Sequence, residues 1–372
     1  MRTDRAGGRR FKAQGWAYFR VDANARIGSG HLARCRLLAG ELMRHGIRCT
    51  FLIESTPESL RRSLEAEGHP VVRLPPERSV DAEYLAETFA SDGFPLLVVD
   101  SDAPEFYEAN WQQSIRTRGI WLMMMTFRHD CHFSADLVLN QNLLALYQRY
   151  STEPHAELLL GPRYAMLADE FRHLHDAPLR DRSKPRSLLV TFGGADRQNL
   201  TLRVMDALAQ LEPPPERVMV IVGSLYARLP ELRVLLSEIG HLNPELVIDT
   251  KRMPDLMSEA DLAISSGGLT AWELACAGVP NVIVSSSERE RQTAMLLHRE
   301  GLACFVGHHD QVSRDDIGHA VRQLGSNPAR LRALCAAGRR LVDGRGLDRV
   351  IAKVLRAVEG RPKEGCDIDS RA

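Results

Sequence analysis

Two short stretches set glycines beside residues that can do chemistry. In Ile27-Gly28-Ser29-Gly30-His31 a strand gives way to a helix. Gly30 lets the chain turn tightly, and His31 projects from the helix start. The helix dipole disfavours an imidazolium there, and a neutral imidazole can take the proton of an attacking hydroxyl or water. A lone histidine that merely hydrogen-bonds nearby is the plainer reading; the flanking Gly28 and Gly30 favour the base. In Ile264-Ser265-Ser266-Gly267-Gly268-Leu269-Thr270-Ala271-Trp272-Glu273 a strand ends, two glycines follow and a helix begins. Glycines admit close backbone approach, and the free N–H groups of a first helical turn favour a diphosphate. Glu273 falls one turn in, where a carboxylate can accept two hydrogen bonds from ribose hydroxyls. Plain turn chemistry also accounts for two glycines at such a junction.

Further candidates lie at other strand ends. Phe192-Gly193-Gly194-Ala195-Asp196 is a third glycine turn whose N–H groups could touch phosphates or sugar, while Asp196 or Asn199 could simply cap the next helix. Ser285 to Gln292 forms a polar loop opening a helix, and Gln292 could reach ribose or phosphate. Asp22, Asp100 and Asp102 could bind sugar hydroxyls, orient His31, or cap helices. The amides of Asn140 and Asn142 would suit the acetamido groups of an amino sugar. Trp121 to Met125 reads as a core strand, and the other twelve histidines show no metal-ligand spacing. No metal or cofactor is expected.

These residues need a scaffold that puts them on one edge. From Trp16 onward, short apolar runs alternate with stretches of helical period, the pattern of βα units and parallel sheets. Strands are predicted at Ala17–Val21, Cys49–Ile53, Val71–Leu74, Leu96–Asp100, Ile120–Met123 and Asp136–Leu139. Helices at Gly30–His45, Glu58–Gly68, Ala82–Ser91 and Glu105–Arg118 fit between them. A second series has strands at Leu188–Phe192, Val218–Val222, Leu246–Ile248, Leu262–Ser265, Asn281–Val284 and Ala303–Val306. The resulting division is a tail over 1–15, a Rossmann-like domain over 16–172, a linker over 173–186, a second Rossmann-like domain over 187–345, and a terminal helix and tail over 346–372. The helical segment Asp348–Val358 could pack back on the first domain. Ligands of open parallel sheets sit beyond the carboxyl ends of the strands, so two facing halves hold theirs between them. That is the α/β arrangement called GT-B.

Composition narrows the partners. The 372 residues carry 48 basic and 48 acidic side chains, so no net field draws in nucleic acid. No run of about 18 apolar residues is present to span a membrane. Seven cysteines without any C-x-x-C pair fit a reducing compartment, and a cytoplasmic, monomeric protein is expected.

The ordered set of segments resembles the UDP-2,4-diacetamido-2,4,6-trideoxy-β-L-altropyranose hydrolases of pseudaminic acid synthesis. It runs from Phe19-Arg20-Val21-Asp22 and the Gly28 to His31 turn through Asp136 to Asn142 and Gly161-Pro162-Arg163-Tyr164-Ala165. It continues with Asp169-Glu170-Phe171, Phe192 to Asp196, the Gly267 to Glu273 turn, Gly278-Val279-Pro280, Gln292 and Val342 to Gly346. The resemblance covers most of residues 17 to 358 and implies a GT-B fold related to the lipid II N-acetylglucosaminyltransferase. It implies metal-free, inverting cleavage of the bond between anomeric carbon and UDP oxygen, with His31 activating water. Asp22, Gly28, Gly30, Asp100, Asn140 and Asn142 would then face the sugar. Gly193, Gly194, Gly267, Gly268, Leu269, Thr270, Glu273 and Gln292 would hold UDP. Three positions depart from the pattern: Asp100-Ser101-Asp102 stands for Asp-His-Tyr, Thr126-Phe127 for Asp-Asp, and Ala168 for an arginine. All three lie in the sugar-facing half. A glycosyltransferase using a UDP-amino sugar donor, or a non-catalytic nucleotide-sugar binder, are the competing expectations.

Overall fold

The computed structural model describes residues 15–89 and 94–359; the predicted tails over 1–14 and 360–372, and Ser91 at a predicted helix end, lie outside the described residues. Gly15, expected in the tail, opens the first strand instead, where it pairs with both Ile47 and Phe94.

The first half contains β1 (Gly15–Val21), β2 (Ile47–Ile53), β3 (Val71–Arg73), β4 (Phe94–Asp100), β5 (Trp121–Met125), β6 (His132–Phe133), β7 (Leu137–Asn140), β8 (Ser151–Thr152) and β9 (Glu157–Leu160). Seven of these form one parallel sheet in the order β3-β2-β1-β4-β5-β7-β9, and β6 pairs with β8 as a small ribbon. The second half contains β10 (Ser187–Thr191), β11 (Arg217–Val222), β12 (Pro244–Ile248), β13 (Leu262–Ser265), β14 (Asn281–Ser285) and β15 (Cys304–His308). Its parallel sheet runs β12-β11-β10-β13-β14-β15, so both sheets reverse direction beside their first strand. That reversal opens the crevice in which ligands of such sheets bind.

The strands read as unbroken apolar runs because both faces are covered. Phe19 packs under the helix Gly30–Arg44 with Leu38 and Leu42, while its neighbour Tyr18 joins Leu97, Val99 and Phe106 on the opposite face. Val190 and Leu189 divide the two faces of the second sheet in the same way. β9 escaped the sequence reading, since four residues in register with Leu137–Asn140 give too short a run to set a period.

The segment expected as a polar linker is strapped to the second half. Helix Asp169–Asp176 carries into it, and the Sγ of Cys276 donates to the Phe171 carbonyl. Further on, Arg182 Nε donates to the Ala260 carbonyl at 2.9 Å, and Arg180 reaches the carbonyls of Ser258 and Glu259. Guanidinium groups satisfying the end of helix Met253–Glu259 are what fix a stretch that composition alone marks as loose. The last helix, Gly346–Glu359, returns to the first half, where Val350, Ile351 and Val354 enter the same core as Phe19 and Leu42. No helix among the described residues is long and apolar enough to cross a membrane.

Candidate functional site

Helix Gly30–Arg44 starts at the carboxyl edge of the first sheet, and β4 ends there on Asp100. His31 Nδ1 lies 2.9 Å from Asp100 Oδ1. One turn further, Arg34 grips the same carboxylate with two contacts of 2.5 Å, Nε to Oδ2 and Nη2 to Oδ1. Asp100 is 1% exposed and Arg34 is 4% exposed. Burial pushes the Asp100 carboxyl up, but the Arg34 guanidinium and His31 outweigh it and hold the group well below the usual carboxylate range. A fixed anion on Nδ1 sets the tautomer: Nδ1–H donates to Asp100, and Nε2 is left as the acceptor.

The second half brings its glycine turns to the same place. A Cβ on Gly30 would lie 3.5 Å from Leu269 Cδ1, and one on Gly194 would overlap Ser29 Oγ. Arg197 Nη1 donates to the Arg26 carbonyl at 3.0 Å, tying the two loops together. The turns at Gly28–His31, Gly193–Gly194 and Gly267–Leu269 therefore converge, with the N-termini of helices Gly30–Arg44 and Thr270–Ala277 directed at the junction. Gly193 needs its glycine for a φ of +77°, whereas Gly194 needs it for close approach to Ser29, and Gly223 needs its own because a Cβ there would strike the Gly194 backbone. Gly267 has a packing reason: its Cβ would come within 2.8 Å of the Glu290 carbonyl.

Glu273 sits in the first turn of helix Thr270–Ala277. Enclosure by the cleft pushes its carboxyl up to about 7, against a smaller opposing effect of a hydrogen bond from Thr270. A half-buried acid with the Thr270 hydroxyl as its donor has acceptor capacity to spare, which two ribose hydroxyls would fill. Among the described residues, no group of three or more His, Cys, Asp or Glu side chains is arranged to hold a metal ion.

Four predicted contacts go elsewhere. Asp22 does not meet His31: its Oδ2 pairs with Arg20 at 2.5 Å, and its Oδ1 accepts from the backbone of Glu54 and Ser55 and from the Thr56 hydroxyl. It holds the loop after β2. Asn140 Oδ1 accepts from the Asn142 N–H while its Nδ2 donates to the Tyr150 hydroxyl. Asn142 Nδ2 crosses to Thr293 Oγ1 at 2.8 Å, and its Oδ1 accepts from Leu144. Both amides have partners in the protein, Asn140 within a turn and Asn142 in a bond between the halves. Gln292 is exposed, and its amide donates back to Glu288. Asp196 takes the capping role, accepting from the N–H groups of Leu200 and Thr201 at 2.8 Å each.

Other residues of the site carried no sequence signal strong enough to single them out. Arg34 is three positions after His31, on one helix face, and that spacing was the available clue. Phe127 has two guanidinium groups over its ring, Arg34 Cζ 5.1 Å and Arg289 Cζ 4.7 Å from the centroid. Arg289 Nη2 also reaches Asp102 Oδ1 at 3.1 Å, so the two halves meet here as well.

Two parallel sheets of Rossmann order facing across a cleft, closed by a terminal helix that returns to the first, define the GT-B fold, and this chain has it. No family model matches the sequence. The chain is 27% identical over 338 residues to the spore coat polysaccharide biosynthesis protein SpsG of Bacillus subtilis, covering 89% of this chain and 95% of the relative. It is 24% identical over 255 residues to the UDP-2,4-diacetamido-2,4,6-trideoxy-beta-L-altropyranose hydrolase of Campylobacter jejuni, covering 68% of this chain and 85% of that one. Among solved structures it is similar to MurG of Acinetobacter baumannii, with a TM-score of 0.64 and 17% identity over 92% of this chain and 99% of the other.

Proposed function

We propose that the protein cleaves a UDP-linked 2,4-diacetamido-2,4,6-trideoxyhexose at the anomeric carbon, passing the sugar to water with inversion. The observation that carries this reading is the His31–Asp100 pair, 2.9 Å apart, at the point where the glycine turns of the other half converge. The likeness to the Campylobacter jejuni hydrolase supports the substrate class.

In this scheme His31 Nε2 takes a proton from a water as the water oxygen bonds to the anomeric carbon. The bond from that carbon to the UDP oxygen breaks on the opposite face, and its electron pair leaves with the diphosphate. Asp100 fixes the imidazole and stabilises the imidazolium that forms, and Arg34 keeps Asp100 ionised and still. The N–H groups at Gly193–Gly194 and Gly267–Leu269 receive the charge of the departing diphosphate, and Glu273 holds the ribose. Base from one half and leaving-group site from the other give the opposed geometry that an inverting displacement requires.

The test is to incubate the purified protein with UDP-2,4-diacetamido-2,4,6-trideoxy-L-altrose, without acceptor, and follow UDP and free sugar by NMR. Wild type releases both, and His31→Ala loses about 100-fold or more of the rate while still binding UDP. A wild type that binds UDP and leaves the sugar attached overturns hydrolysis and turns attention to an acceptor. A His31→Ala variant that hydrolyses at the wild-type rate removes the base.

A further inference from the structure

Helix Glu288–Arg299 of the second half touches both parts of the site with adjacent residues. Glu290 faces the glycine turn: its carbonyl would lie 2.8 Å from a Cβ on Gly267 and its Oε1 3.1 Å from one on Gly268. Its Oε2 is anchored by the N–H and hydroxyl of Ser286. Arg289 faces the first half, where it pairs with Asp102 and covers one face of the Phe127 ring. Arg34 lies over the same ring, 5.1 Å from its centroid, and is bound to Asp100, which holds His31. One turn along the helix, Thr293 accepts from Asn142 in a buried contact and returns its own hydroxyl hydrogen to the Arg289 carbonyl.

We propose that Arg289 is a positioning residue that sets the His31–Asp100 pair against the nucleotide turn, so that occupancy of the turn is felt at the imidazole. The proposal rests on the UDP reading above. Its physical content is a continuous packed chain, from Gly267–Gly268 through Glu290 and Arg289 to Phe127, Arg34, Asp100 and His31, with no step longer than a van der Waals, hydrogen-bond or cation–π contact. The exposed Asp102–Arg289 pair adds little by itself. The shared contact of Arg34 and Arg289 with Phe127 is the stiffer link, because Arg34 cannot move without uncovering a buried carboxylate. Asp102 and Phe127 are two of the positions at which the sequence leaves the hydrolase pattern, and both are partners of Arg289. These two departures therefore share one partner, a residue of the other half.

The decisive experiment needs no turnover. His31 imidazole signals, assigned by comparison with His31→Asn, are followed by NMR during a titration with UDP, in wild type and in Arg289→Ala, with UDP affinity measured in parallel by calorimetry. UDP shifts the His31 signals of wild type, and in Arg289→Ala the shift is lost at saturating UDP while affinity stays within about threefold. Phe127→Leu reproduces the loss, and Arg289→Lys restores part of the shift. Where the substrate is turned over, Arg289→Ala lowers kcat about tenfold or more with KM little changed. A His31 shift that survives in Arg289→Ala, or UDP binding to wild type that leaves His31 unmoved, overturns the coupling alone. Loss of UDP affinity in step with the shift makes Arg289 a nucleotide contact and overturns it too. A wild type that takes no UDP overturns the nucleotide reading, and the coupling with it.

Discussion

The two sheets share strand order, yet their edges at the cleft are built on opposite principles. The first edge is saturated: Asp100 has two bonds to Arg34 and one to His31, Asp22 has four partners, and Asn140 and Asn142 are spent on the protein. The second edge is underfilled, with glycine backbone, helix N-termini and a carboxyl, Glu273, that has only Thr270 beside it. Saturation fixes one imidazole in one orientation. Underfilling leaves hydrogen-bonding capacity for a ligand. The contrast separates a half whose polar side chains bind one another from a half with hydrogen-bonding capacity to spare, and it can be broken by substitution.

The largest expected effect is at Asp100. Asp100→Asn leaves Arg34 buried without its anion, which should cost about 3–5 kcal/mol of stability and at the same time free the imidazole. Urea denaturation measures the first and sugar release the second. The stabilisation that Asp100 provides comes from a folded-state pKa held below the unfolded one, so it is fully present above the unfolded carboxylate's pKa near ~4 and is lost as pH falls below it. A loss under about 1 kcal/mol would mean that the first edge is no more rigid than the surface.

Glu273 should behave in the opposite sense. Its folded-state pKa is raised, to about 7, so folding is favoured while the group is protonated and stability declines as pH rises from the unfolded value toward 7. Because the side chain is part exposed, the decline should be modest, ~1–2 kcal/mol. Glu273→Gln should remove that decline and raise the melting temperature at pH 8. The ionised form is the better acceptor for ribose, so UDP affinity should strengthen from pH 6 to pH 8 in wild type. In Glu273→Gln it should be about tenfold weaker at pH 8 and keep only the pH dependence that comes from ionisation of the terminal phosphate of UDP itself. A variant that binds UDP as wild type does would place the ribose elsewhere.

The sheets were legible in the sequence because buried parallel strands advertise themselves as apolar runs ending in glycine or acid, and β1, β4, β10 and β13 lie within a few residues of their predicted bounds. The glycine turns of the second half were legible for the same reason, each standing where a strand stops, whereas His31 opens its helix a full loop after β1 ends at Val21. Side-chain partners were not. Asp22 and Asp100 look alike in sequence, both acids at a strand end, and only the fold gives one to Arg20 and the loop after β2 and the other to His31. Asn142 was read as a ligand contact because nothing in its neighbourhood points to Thr293, 151 positions away. Arg289 and Phe127 are ordinary members of a charged helix start and a strand end until the halves close on each other.

The smallest effect separates two neighbouring glycines that sequence treats as one motif. Neither Gly267 nor Gly268 has a left-handed backbone, so what an added methyl meets decides each case. At Gly267 it meets the Glu290 carbonyl, part of a helix start pinned by Ser286 and Ser287, and neither side can yield without moving the turn. At Gly268 it meets the Glu290 Oε1, at 3.1 Å, and a shift of a few tenths of an ångström in that side chain relieves the contact. Gly267→Ala should therefore cost about 1–3 kcal/mol in urea denaturation, and Gly268→Ala well under 1 kcal/mol. If Gly268→Ala nonetheless weakens UDP binding by calorimetry while Gly267→Ala weakens it only in proportion to lost stability, then Gly268 is the glycine kept open for the ligand and Gly267 the one kept for the helix. Equal losses of stability at the two positions would instead put the turn among the rigid elements and erase the distinction between the two edges.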